Sequence, residues 1–172
     1  GRAMHNVQNA MFAAALAFSL GIKLDAIRQG LRTFDTTFYQ APGRMNVFSE
    51  HPFKVIFDYG HNAHAVGVMA DLAERLDVVG RRIIVVAGPG DRRDEDIVAI
   101  AETVAGRFDH YICRRDDSLR GRDGDEVPGM IAKVLRSRGV PESAISIIPD
   151  EQEAIDAALK MGQQGDLLLI FA

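Results

Sequence analysis

The sequence has no tryptophan and a single cysteine, Cys113. One cysteine excludes an internal disulfide, so no covalent staple holds this fold. Its neighbours Tyr111 and Ile112 mark it as an inert strand thiol in apolar surroundings. No apolar run approaches the roughly 18 residues that span a bilayer, and the start is not patterned as a signal peptide. Excess positive charge is missing too. Twenty Lys and Arg against 24 Asp and Glu leave a net charge of −4, which gives no electrostatic case for nucleic acid or an anionic membrane as partner. These absences are compatible with a reducing, cytoplasmic setting. The last absence is chemical: no G-x-x-x-x-G-K-[ST] phosphate loop occurs, and Gly88–Pro89–Gly90 lacks the third glycine of a dinucleotide fingerprint.

What is present suffices for a core. A chain of 172 residues, 47% of them apolar, fits one domain plus a little, and can bury about 70% of its unfolded surface. Val7–Leu20 is Ala-rich and apolar at helical spacing, with Gly21 placed to end it; Leu24–Phe34 follows with Leu24, Ile27 and Leu31 on one face. Pro42–Gly43 is a turn signal, and a domain boundary is expected near residues 36–42, with residues 1–36 a terminal helix pair of a preceding domain and 37–172 a second one. Met45–Ser49 and Lys54–Asp58 read as a hairpin. Strands and helices then alternate: a helix bearing Val66, Met69, Leu72 and Leu76, strand Arg82–Ala87, helix Asp94–Ala105, strand His110–Cys113, helix Glu126–Arg138, strand Ile145–Ile148, helix Asp150–Met161 and strand Asp166–Phe171. Short connections in such an alternation require right-handed crossovers. The expected architecture is therefore α/β: a Rossmann-like three-layer domain with a mainly parallel sheet and the hairpin at its edge.

Candidate chemistry gathers where strands end. Asp58–Tyr59–Gly60–His61–Asn62 leaves a strand and enters a helix, where free N–H groups favour an anion or acceptor. Asp58 could bind a ribose hydroxyl, a metal or an ammonium, while Asp58 and Asn62 could equally be helix caps. His61 and His64 are three apart, but two histidines without a third ligand make no metal site. Arg44, held behind Pro42–Gly43, suits bidentate phosphate binding or is a plain surface arginine. Asp91 and Arg92 follow one strand, and Arg114–Arg122 (RRDDSLRGR) follows the next, as a solvated charge run or a ligand loop.

His5–Ala10 (HNVQNA), Gln40–Phe48 (QAPGRMNVF) and Phe57–Ala65 (FDYGHNAHA), in this order, resemble the Mur ligase superfamily, ATP-dependent enzymes that join amino acids to carboxylates. GRMN in place of GRME, and DDSLRGR at Asp116–Arg122, look most like its cyanophycin synthetase branch; the absence of D-N-P-R argues against a peptidoglycan role. The resemblance implies that residues 1–36 end the central ATPase domain and 37–172 form the C-terminal domain. It implies Arg44, Asp58 and His61 at the catalytic centre, and Asn6, Asn9, Arg44, Asp58, Tyr59 and Asn62 around the nucleotide. Asp91, Arg92, Asp116, Asp117, Arg120 and Arg122 are implied for the amino-acid substrate. No metal ligand is assigned: ATP and Mg2+ would be bound mainly by the central domain. Partners would be ATP, arginine, an aspartate polymer primer and the remaining domains, with a homo-oligomer left open. In the implied reaction ATP phosphorylates the β-carboxylate of a primer aspartate, and the α-amine of arginine displaces the phosphate. Another Mur-type ligase (peptidoglycan precursor or folylpolyglutamate synthesis) and a non-catalytic nucleotide- or amino-acid-binding module are the alternatives. The chain departs from the family pattern at Gly60 and Ala63, commonly Ala and Pro, and Gly60 is expected to loosen the turn.

Lacking a phosphate loop, the isolated 172-residue chain should neither hydrolyse ATP nor ligate arginine. Measurable ADP release by the purified chain would overturn this expectation.

Overall fold

The structure is a computed structural model that describes residues 3–171. Helices α1 (Met4–Ser19) and α2 (Leu24–Thr33) come first. Gly21, at φ 78°, ends α1 in the left-handed conformation, donating its N–H to Phe18 O while Ile22 donates to Ala17 O. Neither helix buries a single side chain: Phe12, Leu16 and Leu31 are all exposed.

The remainder is one six-stranded sheet with helices on both faces. Strands β1 (Asn46–Phe48), β2 (Lys54–Asp58), β3 (Arg82–Val86), β4 (His110–Cys113), β5 (Ile145–Ile147) and β6 (Leu167–Phe171) lie in the order β1-β2-β6-β3-β4-β5. Only the β1–β2 hairpin is antiparallel. Helices α3 (Ala63–Arg75), α4 (Asp94–Val104) and α5 (Glu126–Ser137) link strands that advance toward β5, and they pack on one face. The return from β5 to β6 runs the other way. A right-handed crossover must then place its helix, α6 (Glu151–Met161), on the opposite face. The sequence reading of the elements holds to within a few residues at each end. A short 3-10 turn at Glu142–Ala144 before β5 was not anticipated.

β6 is buried throughout because it lies between β2 and β3 and is covered on both sides. Leu167, Leu169 and Phe171 join the α3–α4–α5 core, while Leu168 and Ile170 join the core under α6. That is the period-two alternation of a strand with two apolar faces. The register sets Asp58 beside Phe171, Ile170 beside Val85, and Val86 beside Cys113. The carboxyl ends of four strands thus share one edge, and the connections that leave it carry most of the candidate site residues; Asn6, Asn9 and Arg44 lie elsewhere.

The segment entering the sheet is fastened by Asn46. Its side chain is buried, accepts from Gly43 N–H at 2.7 Å, and donates to Thr36 O at 2.7 Å and Ala41 O at 2.9 Å. Gly43 O in turn accepts from Tyr59 N–H at 2.9 Å. Residues 36–46 are therefore folded back onto the domain, with Gly43 and Met45 at positive φ of 69° and 51°. Asn46→Ala should cost about 1–3 kcal/mol of unfolding free energy, because it strands a buried donor and two acceptors. A urea or thermal melt matching that of the unmodified protein would rule this out.

Candidate active site

A pocket of about 140 Å³ opens at the carboxyl edge of the sheet, lined on one side by Tyr59, Gly60 and His61 from the β2–α3 turn. Pro89 and Arg92 after β3 face them, with Arg114, Asp116 and Arg120 after β4 and Phe171 at the end of β6. Phe171 explains Gly60: a Cβ at this glycine would meet the Phe171 ring at 2.7 Å. The turn is tight against the last strand, and the expected loosening by Gly60 is corrected accordingly.

Asp58 is not a helix cap. Its Oδ2 accepts from Met45 N–H at 2.8 Å, which ties the arginine-bearing turn to β2. Burial raises its pKa above the usual carboxylate value, against the lowering pull of the Met45 N–H, the Arg44 charge, the Gly60 N–H and His5. His5 is itself lowered by burial, against the raising effect of Asp58. The cap is Asn62, which accepts from Ala65 N–H at 2.9 Å, with Ala63 in the first helical position. Exposed His61 faces its own turn, with Nδ1 3.1 Å from Tyr59 O and its ring tilted against that of Tyr59.

Asn6, Asn9 and Arg44 do not line this pocket. They line a second, larger groove between the helix pair and the turn. Asn6 reaches Met45 Sδ at 3.7 Å. Arg44 connects the two recesses, its guanidinium carbon 5.8 Å from the centre of the Tyr59 ring, a cation–π distance. Of the nucleotide candidates, Asn6, Asn9 and Arg44 thus line the groove, whereas Tyr59 lines the pocket together with Arg92, Asp116 and Arg120.

The charged loops are knitted together. Arg122 donates to Gly90 O, Arg92 O and Asp94, and also pairs with Glu126, so its guanidinium is committed to loop structure. Arg120, at φ 47°, pairs with Asp91 at 2.6 Å, and this partner lowers the Asp91 pKa. Gly90 sits where a Cβ would strike the carbonyl oxygen of Leu119, so the two loops touch through backbone. Asp117 is exposed and outside the pocket lining. Asp116 lines the pocket and spends one oxygen on Ser118 N–H at 2.9 Å.

Arg114 was not singled out by the sequence reading. It is 3% exposed, donates to Phe171 O through Nε and Nη2 and to Arg115 O through Nη1, and pairs with Glu151 at 2.8 Å. Burial lowers its pKa and Glu151 opposes that, so the guanidinium remains a fixed positive charge at the pocket wall. Its position as the first residue beyond a buried strand was the available signal, hidden inside a run of charges.

Residues 43–172 match the Mur ligase, glutamate ligase domain. The chain belongs to this family. It is 41% identical to cyanophycin synthetase of Geminocystis herdmanii over 96% of the chain and 18% of that protein. With cyanophycin synthetase of Synechocystis sp. the figures are 37%, 99% and 19%. The chain therefore spans about a fifth of the length of these curated relatives. Among solved structures, a pseudomurein peptide ligase type C from Methanothermus fervidus superposes with a TM-score of 0.70 at 24% identity, covering 97% of this chain and 33% of that one. At that identity the likeness is one of fold. The Mur ligase reading of the motifs and the Rossmann-like architecture expected from the strand–helix alternation both stand.

Raised carboxyl pKa and retained acceptor geometry give a signed prediction for Asp58. An acid raised on folding costs stability as pH rises through its folded pKa, and costs nothing below its unfolded value of about 4. Asp58→Asn keeps an acceptor for Met45 N–H and removes the charge. Its melting temperature at pH 7 should equal or exceed that of the unmodified protein, with any advantage vanishing below about pH 4. A variant markedly less stable at pH 7 would show that the charge itself holds the turn.

Proposed function

We propose that this chain is the C-terminal domain of an ATP-dependent ligase that adds arginine to the β-carboxylate of aspartate in cyanophycin through an acyl phosphate. The observation that carries the reading is a pocket at the carboxyl edge of the sheet that offers an arginine and a carboxylate, Arg92 and Asp116, with no salt bridge to either among the described residues. Zwitterionic amino acids with a cationic side chain need both signs of charge. The similarity to cyanophycin synthetases over nearly the whole chain supports arginine as that amino acid.

In this reading, transfer of the γ-phosphoryl group of ATP to the primer carboxylate releases ADP and gives the acyl phosphate. The α-amine of arginine then attacks the acyl carbon. The C–O bond to phosphate breaks, the amine gives up a proton, and an isopeptide bond remains. Arg44 supplies an exposed positive charge on a turn fixed by Asp58, Asn46 and Tyr59, suited to phosphate oxygens whose charge grows in transfer. Asn6 and Asn9 line the groove beside it and are proposed for the base side of the nucleotide. His61 and Asn62 border the phosphate side. Arg92 takes the α-carboxylate of arginine. Among the described residues no three His, Cys, Asp or Glu side chains converge on a metal site, so Mg2+ is proposed to be held by the phosphates and by other domains. A cytoplasmic location belongs to the same proposal. Movement of the domain toward the nucleotide would complete the site only when substrates are bound.

The test uses the longer ligase carrying this domain, with ATP, Mg2+ and an aspartate-containing primer. ADP release should depend on arginine and not on lysine, glutamate or diaminopimelate. Stimulation by glutamate or diaminopimelate would move the domain to another ligase branch; no stimulation would favour a binding module. Arg44→Ala should lower arginine incorporation by about 10²-fold or more while the protein stays folded. Normal turnover would take Arg44 out of the site.

A further inference from the structure

The six charged residues assigned to the amino acid are not equivalent in the structure. Arg122 is saturated by loop carbonyls and two carboxylates. Asp91 is already neutralised by Arg120, a contact held by backbone at positive φ, and Asp91 does not line the pocket. Asp117 is exposed and lies outside the pocket lining. Arg114 is buried against Phe171 O and Glu151. These groups form a frame. Asp116 is the carboxylate left facing the cavity, half-buried, with one oxygen oriented by Ser118 N–H and the other without a hydrogen bond among the described residues.

We infer that Asp116 is the specificity-determining acceptor for the cationic side chain of the incoming amino acid. This inference rests on the proposed arginine-adding reaction. The Ser118 N–H holds the carboxylate in one orientation, and the Asp91–Arg120 and Arg122 contacts hold the loop that carries it against the loop that carries Arg92. Arg92 and Asp116 therefore line one cavity from two stapled loops, and select for a carboxylate at one end of the ligand and a cation at the other. Arg114 and Arg120 on the same wall disfavour a cation placed anywhere but at Asp116. A planar guanidinium can donate two parallel N–H bonds to a carboxylate, which an ammonium cannot match in geometry. An uncharged isostere of arginine brings N–H donors but no positive charge to Asp116, whose other cationic neighbours are Arg114 and Arg120 on the wall, and so loses the ion-pair part of the contact.

The experiment compares arginine with citrulline, its neutral isostere, in the full-length ligase with ATP, Mg2+ and primer. Unmodified enzyme should prefer arginine strongly in kcat/KM. Asp116→Asn should lower kcat/KM for arginine by roughly ten- to a hundredfold, mainly through KM, while changing the value for citrulline little. Asp116→Glu, which retains the charge, should keep most of the preference for arginine. Equal losses for both amino acids would make Asp116 a structural residue, and an unchanged preference in Asp116→Asn would put the acceptor elsewhere; either overturns the inference alone. Absence of arginine-dependent turnover in the unmodified enzyme would overturn the underlying reading and the inference with it. If Asp116→Asn fails to fold, Asp116→Glu decides: loss of its arginine preference in a folded protein counts against the inference.

Discussion

Insertion of the last strand between β2 and β3 is the constraint on which the other features depend. β6 pairs with β2 through Lys54–Leu167 to Asp58–Phe171, and with β3 through Arg82–Leu167 to Val85–Ile170. Without it the hairpin carrying Asp58 has no strand pairing with β3 and β4, whose following loops carry Arg92 and Arg114. The strand also supplies the pocket floor directly. Phe171 packs against Gly60, and its carbonyl accepts two N–H groups of Arg114. The β2–β6 pairings join residues more than a hundred positions apart, the kind of long-range closure that costs chain entropy before it returns contacts. Five residues buried on both faces supply the compensating hydrophobic term, on the order of 1.5–3 kcal/mol for each large side chain.

Rigidity around the pocket comes from polar contacts rather than from apolar packing. Arg122, the Asp91–Arg120 pair and the close approach of Gly90 to Leu119 bind two loops that would otherwise move separately. Most of these ion pairs are partly exposed and each is worth little alone. Their effect is positional: they limit the conformations open to Asp116 and Arg92, so a ligand pays less ordering entropy on binding. The same division holds at the entrance to the domain. Asn46 fixes residues 36–46 to the sheet through three buried hydrogen bonds, so Arg44 belongs mechanically to the α/β unit. The contacts of α1 with that unit, by contrast, are few and peripheral, such as Asn6 to Met45.

Much of this was legible in the sequence for identifiable reasons. Alternating runs such as Arg82–Ala87 and Asp94–Ala105 carry their own periodicity, and Gly21 and Pro42–Gly43 mark ends and turns by φ preference. The motifs around Arg44 and Asp58 pointed to the Mur ligase family because turn geometry and chemistry are both written in contiguous residues. Other features were not legible. Asn46 looked like a motif letter and is a structural clamp; Gly60 looked like slack and is a packing requirement; Asn62 is a cap while Asp58 is not. Arg114, Arg120 and Arg122 are alike in a charge run, yet one is buried, one is ion-paired across loops, and one is saturated by loop carbonyls and two carboxylates.

Local order, element type and the family motifs were determined by the sequence alone, since they depend on neighbours a few residues apart. The tertiary structure decided the place of β6 in the sheet, the face chosen by α6, and which three of six charges line the cavity. Those outcomes turn on hydrogen-bond pairing, burial and charge neutralisation between residues remote in the chain, and no local pattern encodes which partner wins.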